Sequence, residues 1–516
     1  MPAPRRHLRL AAEPVRSALA VLREELDVPG PFTSDVERTA AAAIDAHAAE
    51  RADARDLPLI AVDPVGARDL DQAFAIDRDG SGWVLHYAIA DVAAFVVPGD
   101  EVDAESWRRG VTCYLPDGKA ALHPEVLSEG AASLLPGDDR PAVVWRLRID
   151  RHGGIEDVAV ERAVVHVRLA TSYEVVSIAA GHGGADAGPT SVGIDLQEPT
   201  PDVVDRAAGR GVDLLELVRR LGELGGLLLE REAARGGVSL PLPEQDVVVT
   251  GDGRVDLRLR PSLVVEEWNA QLSLATGMAA ARLMLEHGVG LVRTLPPPEL
   301  QVLDELRARS ESLGHPWPAD GGYPAWVRSL DPATPVGMAL LTIAGRGLRG
   351  SGYEVVDGRG AVGTGLEHAA VAAPYAHVTA PLRRLGDRFA TEAVLAATAG
   401  RSVPAWVREG LDRLPEALGA ANQRGARVDR AVVDLIEAAV LSARVGEVFD
   451  AVVLDRSDGR ARLQLVDLPV LADAAVTEVD VGDGAPDPDA VRAGTVVRAR
   501  LTEADPMTRT TRFELD

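Results

Sequence analysis

The sequence has 516 residues, of which 46% are hydrophobic, so it can bury a large core and is too long for one ordinary domain. Its single cysteine, Cys113, excludes an intramolecular disulfide framework and predicts a reducing, cytoplasmic location. The formal net charge of −25 argues against a nucleic-acid partner, unless positive charge is concentrated locally or divalent cations turn carboxylates into a phosphate site.

The first part of the chain, 1–56, is predicted to be a short helical segment. VRSALAVLREEL spaces its apolar residues at helical intervals, and DVERTAAAAIDAHAAERA is rich in alanine. No apolar run is followed by a small-residue cleavage site, so we expect no signal peptide. No stretch has the roughly 20 apolar residues that a membrane span needs, so no membrane association is expected.

After Pro58 the pattern changes to short β-like runs such as WVLHYAIADV and AVVWRLRID, separated by turn residues. The Gly- and Pro-rich segment 181–201 indicates a loop, and helical periodicity dominates after it. Strand-like runs return after about Gly446, enough for a small five-stranded barrel. These changes predict an α+β domain over 57–445 and an all-β barrel over 446–516.

The segment LIAVDPVGARDLDQAFAID contains the most informative pattern, because three carboxylates follow one apolar strand within a few residues. Asp69 and Asp71 face the same side if this stretch is extended, and Asp63 ends the preceding strand. Oxygen ligands of this kind suit Mg²⁺, whose coordination is completed by water and substrate phosphate. Taken alone, the pattern fits a solvated turn or a calcium-stabilised loop equally well.

Two separated motifs make the sequence resemble the ribonuclease II (RNB) family. AVDPVGARDLDQAFAI resembles the family's metal-binding signature, and YAIADVAAFVVPGDEVDAESWRRGVTCYLPDG and HPEVLSEGAASLLPGDDRPAVVW follow in the expected order. PYAHVTAPLRRLGDR, over 374–388, resembles the second signature, with Val378 and Ala380 where an aromatic residue and a serine are usual. The resemblance implies an RNB catalytic domain, with a mixed sheet and packed helices, followed by an OB-fold RNA-binding barrel.

The resemblance also implies roles for residues at matching positions. Asp63, Asp69 and Asp71 would hold the metal ions, Mg²⁺ or Mn²⁺ in its place, and Asp71 would be catalytic. Gln72 stands where the family commonly has a fourth aspartate, and its amide oxygen would be a neutral ligand. Arg383 matches the arginine that contacts the scissile phosphate, where a guanidinium stabilises charge in the transition state.

Further residues match positions that bind RNA in the family. Tyr114 would stack near the terminal nucleotide, which recognises any base because every base has a π-face. Tyr173 and the pair Glu266 and Glu267, of which we favour Glu267, match contacts to the ribose hydroxyl. Other contacts close to the RNA are expected from His377, Thr379 and Arg384.

The resemblance therefore implies a hydrolytic 3′-to-5′ exoribonuclease, which degrades single-stranded RNA to nucleoside 5′-monophosphates by a two-metal-ion mechanism. The first alternative is an RNA-binding protein with a catalytically impaired RNB domain, in which Gln72 has cost one metal ion. The second is an unrelated metal enzyme that uses the segment DLD; it leaves PYAHVTAPLRR unexplained.

Overall fold

The computed structural model describes residues 13–182, 201–249, 255–260, 262–318, 321–358, 365–457, 459–468, 470–475 and 494–515. Most of the loop predicted over 181–201 lies outside the described residues. Among those that are described, no helix is both long enough and apolar enough to cross a membrane.

The first part of the chain contains all seven strands of one sheet. Its elements are α1 (Glu13–Glu25), α2 (Ser34–Ala42), β1 (Ala52–Asp53), β2 (Ile60–Asp63), β3 (Gln72–Asp79), β4 (Gly82–Ala90), α3 (Glu101–Arg109), β5 (Cys113–Leu115), β6 (Gly118–Ala120), β7 (Asp139–Ile149), β8 (Ile155–His166), β9 (Leu169–Ser172) and α4 (Tyr173–Ala179).

The middle of the chain is mainly helical. Its elements are α5 (Pro201–Gly209), α6 (Leu214–Arg235), β10 (Glu244–Val249), β11 (Val255–Arg260), α7 (Val264–His287), β12 (Gly290–Thr294), α8 (Leu300–Ser312), α9 (Tyr323–Arg328), α10 (Pro335–Ala344), β13 (Gly352–Val356), β14 (Glu367–His368), β15 (Ala373–Pro374), α11 (Leu385–Thr398) and α12 (Ala405–Leu441). The final strands are β16 (Val448–Ser457), β17 (Arg460–Leu465), β18 (Leu471–Ala475), β19 (Val496–Asp505) and β20 (Thr510–Leu515).

A seven-stranded mixed sheet is the centre of the larger domain, in the order β1-β8-β7-β4-β3-β2-β9. The outer pairs β1/β8 and β2/β9 are parallel, and the inner pairs are antiparallel. Residues alternate between the two faces. Phe74 and Ile76 pack under helices α4, α6 and α7, while Ala73 and Ala75 pack on the opposite face with residues of α2.

The last five strands form a closed barrel in the order β16-β17-β18-β20-β19. Its apolar interior, which includes Phe449 of β16, is continuous with side chains from α1 and α12 such as Leu19 and Leu435. The first described helix is therefore packed against the end of the chain. The predicted α+β fold, with a mixed sheet, packed helices and a small terminal barrel, is confirmed.

The second predicted helix is shorter than its alanine-rich sequence indicates. Helix α2 ends at Ala42, and the next residue has an extended backbone. Beyond it, Arg51 pairs with Asp45 at 2.6 Å and with the buried Asp91 of the sheet at 2.8 Å. The ion pairs of Arg51 with Asp45 and with the distant Asp91 override a helix propensity that is worth only a few tenths of a kcal/mol per residue.

Candidate active site

The first signature forms the connection between β2 and β3. Ile60 pairs with Phe74 in the antiparallel register, Asp63 ends β2, and Asp71 immediately precedes β3. The hydroxyl of Ser133 ties down the loop between them, since it accepts the N–H of Leu70 at 3.0 Å and donates to the carbonyl of Arg68 at 2.6 Å.

Asp71 is buried where the two signatures meet. One carboxylate oxygen accepts the backbone N–H of Leu382 at 2.8 Å, and the other lies 3.7 Å from Nε of Arg383. Burial raises the pKa of Asp71 to about 8; Arg383 and the Leu382 N–H act in the opposite direction, and nearby Asp69 adds to the rise. A cation beside this carboxylate would favour its charged form.

Gln72 joins the same two segments through its carboxamide. Its Nε2 donates to the carbonyl of Thr379 at 2.6 Å, across 307 positions of sequence. Its Oε1 accepts from the hydroxyl of Tyr87 and, at 3.3 Å, from Ser273 on α7. Both ends of the side chain are thus bonded to protein groups, in a position predicted to be a metal ligand.

Asp69 forms an ion pair with a lysine on a neighbouring hairpin. The Nζ of Lys119 lies 3.0 Å from Asp69 and 2.9 Å from Glu129. Burial works against the charged ammonium, but Asp69 and Glu129 together raise the pKa of Lys119 above its ordinary value. Lys119 is therefore a cation fixed beside a predicted metal ligand.

The hairpin of β5 and β6 also carries the predicted stacking residue. Tyr114 is directly opposite Lys119 in the antiparallel register, so the two side chains leave the same face of the hairpin. The base of the hairpin is bonded to the second signature, since Thr112 N–H donates to the carbonyl of Arg383 and Leu385 N–H to that of Gly110, both at 3.0 Å.

Arg384 is held inside the second signature. Its guanidinium donates to the buried carboxylate of Asp387 at 2.7 and 3.0 Å and to the Thr379 hydroxyl at 3.4 Å. Asp387 also accepts the N–H of Ala380 at 2.8 Å, and both Ala380 and Val378 are fully buried. The two residues that depart from the family pattern therefore belong to the packing of this segment.

His377 lies between aromatic rings. Its Nδ1 is 3.0 Å from the hydroxyl of Tyr353, and the Tyr375 ring meets it edge to face at a centroid distance of 5.5 Å. Burial, with help from Arg384 and Arg293, lowers the pKa of His377 well below its ordinary value. The imidazole is neutral, so it can offer RNA a hydrogen bond and no charge.

A glycine allows the second signature to approach α7. The N–H of Ala376 donates to the carbonyl of Gly277 at 3.1 Å. A Cβ atom on Gly277 would overlap the ring of Tyr375 and lie 2.7 Å from the Ala376 carbonyl oxygen. The position of the second signature therefore depends on this glycine.

The residues expected at the ribose lie around β2, α4 and α7. Asp63 pairs with Ser172, and the adjacent Tyr173 begins α4, where its hydroxyl accepts from Asn269 at 3.0 Å. Glu266 caps α7 by accepting the N–H of Leu263 at 2.8 Å. Glu267, the next residue, is exposed.

The hydroxyl of Tyr87 lies close to several of these groups. Burial raises the pKa of Tyr87 above its ordinary value, and Tyr173, Tyr375 and Asp63 act in the same direction. Tyr87 and its partner Ser273 thus link strand β4 and helix α7 to Gln72 of the first signature.

The predicted ligands fit one divalent cation better than two. All four offer oxygen atoms, which Mg²⁺ prefers. Asp63 ends β2 and Asp71 lies directly before the neighbouring strand β3, whereas Asp69 and Gln72 are engaged by other groups. Within the described ranges, no group of three or more His, Cys, Asp or Glu side chains is arranged to hold a metal ion. The ligand roles remain predictions, as do the other assigned site roles.

The structure adds site residues that the sequence did not indicate. Lys119, Tyr87, Ser273 and Asn269 contact predicted site residues through side chains, and Glu129 contacts Lys119. Only Lys119 carried a signal, because it is the one lysine in the sequence and lies five residues after Tyr114.

Family models match most of this chain. Residues 51–399 match the RNB domain, and residues 447–516 match the RNase II-type exonuclease C-terminal S1 domain. The chain belongs to the RNB domain family. The two signatures that meet at Asp71 both fall within the matched RNB domain, and the closed barrel falls within the S1 match.

Similar proteins carry ribonuclease names. Ribonuclease R of Escherichia coli is 28% identical over 433 residues, covering 78% of this chain and 48% of that protein. The chain spans about half the length of the curated relatives it matches. Mycoplasma genitalium RNase R, solved with ribose-methylated single-stranded RNA, has a TM-score of 0.79 at 17% identity, covering 98% of this chain and 78% of that one.

The same fold also occurs in a protein described as lacking nuclease activity. The structure of yeast Ssd1, a pseudonuclease, has a TM-score of 0.58 at 13% identity, covering 87% of this chain and 52% of that one. At these identities the structural likeness establishes the fold alone.

Proposed function

We propose that this protein is a hydrolytic 3′-to-5′ exoribonuclease, which degrades single-stranded RNA to nucleoside 5′-monophosphates with Mg²⁺, or with Mn²⁺ in its place. Membership of the RNB domain family and the ribonuclease names of its relatives support this activity. The two-ion mechanism remains the prediction from the sequence, and it would require Asp69 and Gln72 to leave their present partners.

One observation carries the proposal. The N–H of Leu382 bonds to Asp71, and Gln72 bonds to the carbonyl of Thr379, so two segments more than 300 residues apart in sequence form a single polar site. Arg383 faces the buried carboxylate of Asp71 within this site. A carboxylate and a guanidinium in contact are what phosphodiester hydrolysis uses at its anionic transition state.

The side chains suggest a division of labour around the terminal nucleotide. Tyr114 would stack on a base without regard to its identity, which suits degradation of any sequence. Arg383, 28% exposed at its side chain, would donate to the phosphate oxygens as negative charge grows there. A divalent cation held by Asp63 and Asp71 would supply Lewis acidity toward the phosphate and the attacking water.

Preference for RNA would come from the side of the site near α4 and α7. Tyr173 is held by Asn269 beside Asp63, and its hydroxyl is a candidate contact for the ribose 2′-OH. Glu267 on the first turn of α7 is the second candidate. The 2′-hydroxyl is both a donor and an acceptor, so a phenol and a carboxylate are suitable partners for it.

A second candidate function is RNA binding without cleavage. It is favoured by Gln72, whose amide oxygen is bonded to Tyr87 and Ser273 in a position where the family commonly has an aspartate. In that case the site would keep Arg383 and Tyr114 as RNA contacts and would lack a competent set of metal ligands.

A single experiment separates these functions. The purified protein is incubated with a single-stranded oligoribonucleotide labelled at the 5′ end or the 3′ end, and with the matching oligodeoxyribonucleotide, in Mg²⁺, Mn²⁺ or chelator. We expect the 3′ label to leave as a mononucleotide at the first time point and the 5′ label to remain on a steadily shorter strand. DNA and the chelator sample should show no cleavage.

RNA that is bound and stays intact in both metals would assign the protein to the second candidate function. Products longer than a mononucleotide that carry the 3′ label would contradict 3′-to-5′ exonucleolytic cleavage, and equal shortening of DNA would contradict the ribose contacts assigned to Tyr173 and Glu267.

A further inference from the structure

The sequence contains 54 lysine and arginine residues, and Lys119 is the only lysine among them. Lys119 lies in the candidate active site, where its Nζ is 3.0 Å from Asp69 and 2.9 Å from Glu129. The side chain is 21% exposed and that of Asp69 only 11%, so the pair is shielded from most of the solvent. An ammonium is a compact point charge, unlike the planar fork of arginine.

The charges around Lys119 are balanced. Arg68 lies 3.7 Å from the second oxygen of Glu129, so two cations and two carboxylates alternate from Arg68 to Asp69. The negative charge of Asp69 is compensated within the protein. Gln72 adds no charge, and its oxygen already accepts two hydrogen bonds.

We propose that the ammonium group of Lys119 serves as the second cation of this site, so that one divalent ion, held by Asp63 and Asp71, completes it. The inference rests on the proposed function, since it concerns the same metal-dependent site. The ammonium group would supply a positive charge where the sequence predicts a second metal ion. It would also explain how the site keeps its charges balanced although Gln72 stands in place of an aspartate.

Repulsion argues against a second ion on Asp69 while Lys119 is in place. An Mg²⁺ ion lies only about 2.0–2.1 Å from a ligand oxygen, so an ion bound to Asp69 would be within a few ångströms of the ammonium. Glu129 holds Lys119 from the other side, which keeps the ammonium from withdrawing. In a shielded position this repulsion is costly, because solvent screens it poorly.

The hairpin orients Lys119 toward the substrate. Tyr114, the predicted stacking residue, is its directly opposite neighbour, and the hairpin is bonded to the backbone of Arg383 through Thr112. A nucleotide stacked on Tyr114 would therefore lie beside Lys119, on a hairpin whose base is bonded to the Arg383 backbone. Two fixed cations and one divalent ion would then neutralise the developing charge.

Titration with Mn²⁺, followed by electron paramagnetic resonance of the free ion, measures how many ions the intact chain binds. We expect one ion for the wild type and two for Lys119→Met, because the change frees Asp69 and Glu129 while keeping the length of the side chain. Arg23→Met is the matched control. It also removes one positive charge paired to this hairpin, at Asp117, and should still bind one ion.

Two ions bound to the wild type would overturn the inference and leave the proposed function intact, and so would one ion bound to both wild type and Lys119→Met. If the wild type binds no ion, or if Asp71→Asn binds Mn²⁺ as the wild type does, the proposed metal site itself is wrong. The two failures are therefore distinguishable.

A second measurement needs no variant. Lys119 is the only lysine, so acetylation of the wild type by an amine-reactive ester, followed by peptide mass spectrometry, reports on this side chain alone. We expect the rate at Lys119 to change less than about twofold when Mg²⁺ is added, because the ion pair with Asp69 persists. A rate that rises several-fold with Mg²⁺ would mean that an ion displaces the ammonium, and it would overturn the inference.

Discussion

The two signature segments contain similar residue types and use them differently. In the first, Asp69 pairs with Lys119 through side chains that keep some exposure, and Asp71 faces Arg383 across 3.7 Å. In the second, Asp387 is completely buried and accepts three short hydrogen bonds, two from Arg384 and one from the backbone. The charged side chains of the first signature can reach a ligand, whereas those of the second signature are enclosed within the protein.

The adjacent arginines make the contrast sharpest. Arg383 has 28% of its side chain exposed and makes one long contact with a carboxylate, so it retains donors for a phosphate. Arg384 is committed to Asp387 and Thr379, so its role is to shape the segment that carries Arg383. Of these adjacent arginines, Arg383 is therefore available for the reaction, and Arg384 stabilises the segment that carries it.

The largest expected effect comes from Arg384→Ala. The change leaves the carboxylate of Asp387 buried without its partner, and losing one member of a buried pair typically costs about 3–5 kcal/mol. Urea unfolding should show the loss as a lower midpoint. A free energy of unfolding within about 1 kcal/mol of the wild-type value would mean that the second segment is no more enclosed than the first.

Arg383→Ala should reduce the rate of RNA cleavage instead of the stability of the fold. Its fold should be unchanged, while kcat for RNA cleavage falls by about 10²–10³, because one donor to the developing charge contributes about 2.7–4 kcal/mol. Single-turnover assays on labelled RNA measure this, and Arg383→Lys should recover part of the rate. An unchanged kcat together with a lower unfolding midpoint would show that Arg383 is architectural as well.

Gly277→Ala should have an intermediate effect, through the packing of the second segment. The new methyl group meets the Tyr375 ring and the Ala376 carbonyl, and overpacking of this kind costs about 1–3 kcal/mol. Gly226→Ala is the matched control in helix α6, where an added Cβ meets nothing within 4 Å. The control should be neutral or slightly stabilising, and equal losses in both variants would contradict the account.

The smallest effect is a pH dependence from His123, a buried neutral histidine that bonds to the carbonyl of Pro381. Burial lowers the pKa of His123 to about 3, so on acidification the unfolded chain takes up this proton while the folded chain does not. The free energy of unfolding should fall by about 1 kcal/mol from pH 7 to about pH 5.5 through this residue. The difference between wild type and His123→Gln isolates it, and parallel pH profiles would count against it.

The fold could be read from local patterns to a large extent. Strand alternation, the turn residues and the return to strands after about Gly446 predict the mixed sheet and the barrel, because they depend on neighbours in sequence. Helix α2 ends early for the opposite reason. Its boundary is set by Arg51 reaching Asp91, a residue 40 positions away that no local pattern identifies.

The candidate site could be predicted only as a set of residue types. The resemblance assigned Asp71 and Arg383, but not the bonds from Gln72 to Thr379 or from Lys119 to Asp69. Those contacts join positions 307 and 50 residues apart, and their geometry exists only after the sheet, the hairpin and the second segment have packed together. That Lys119 is the only lysine in the sequence did not identify Asp69 as its partner.

The assignment of the active site depends most on Asp71, where both signatures meet. The decisive measurement compares wild type and Asp71→Asn for Mg²⁺-dependent shortening of a 5′-labelled single-stranded RNA, with circular dichroism to confirm that both are folded. Asparagine keeps an acceptor for the Leu382 N–H and removes the charge, so we expect the folded variant to lose at least about a thousandfold in rate. A folded Asp71→Asn that degrades RNA as fast as the wild type would contradict the assignment of this site.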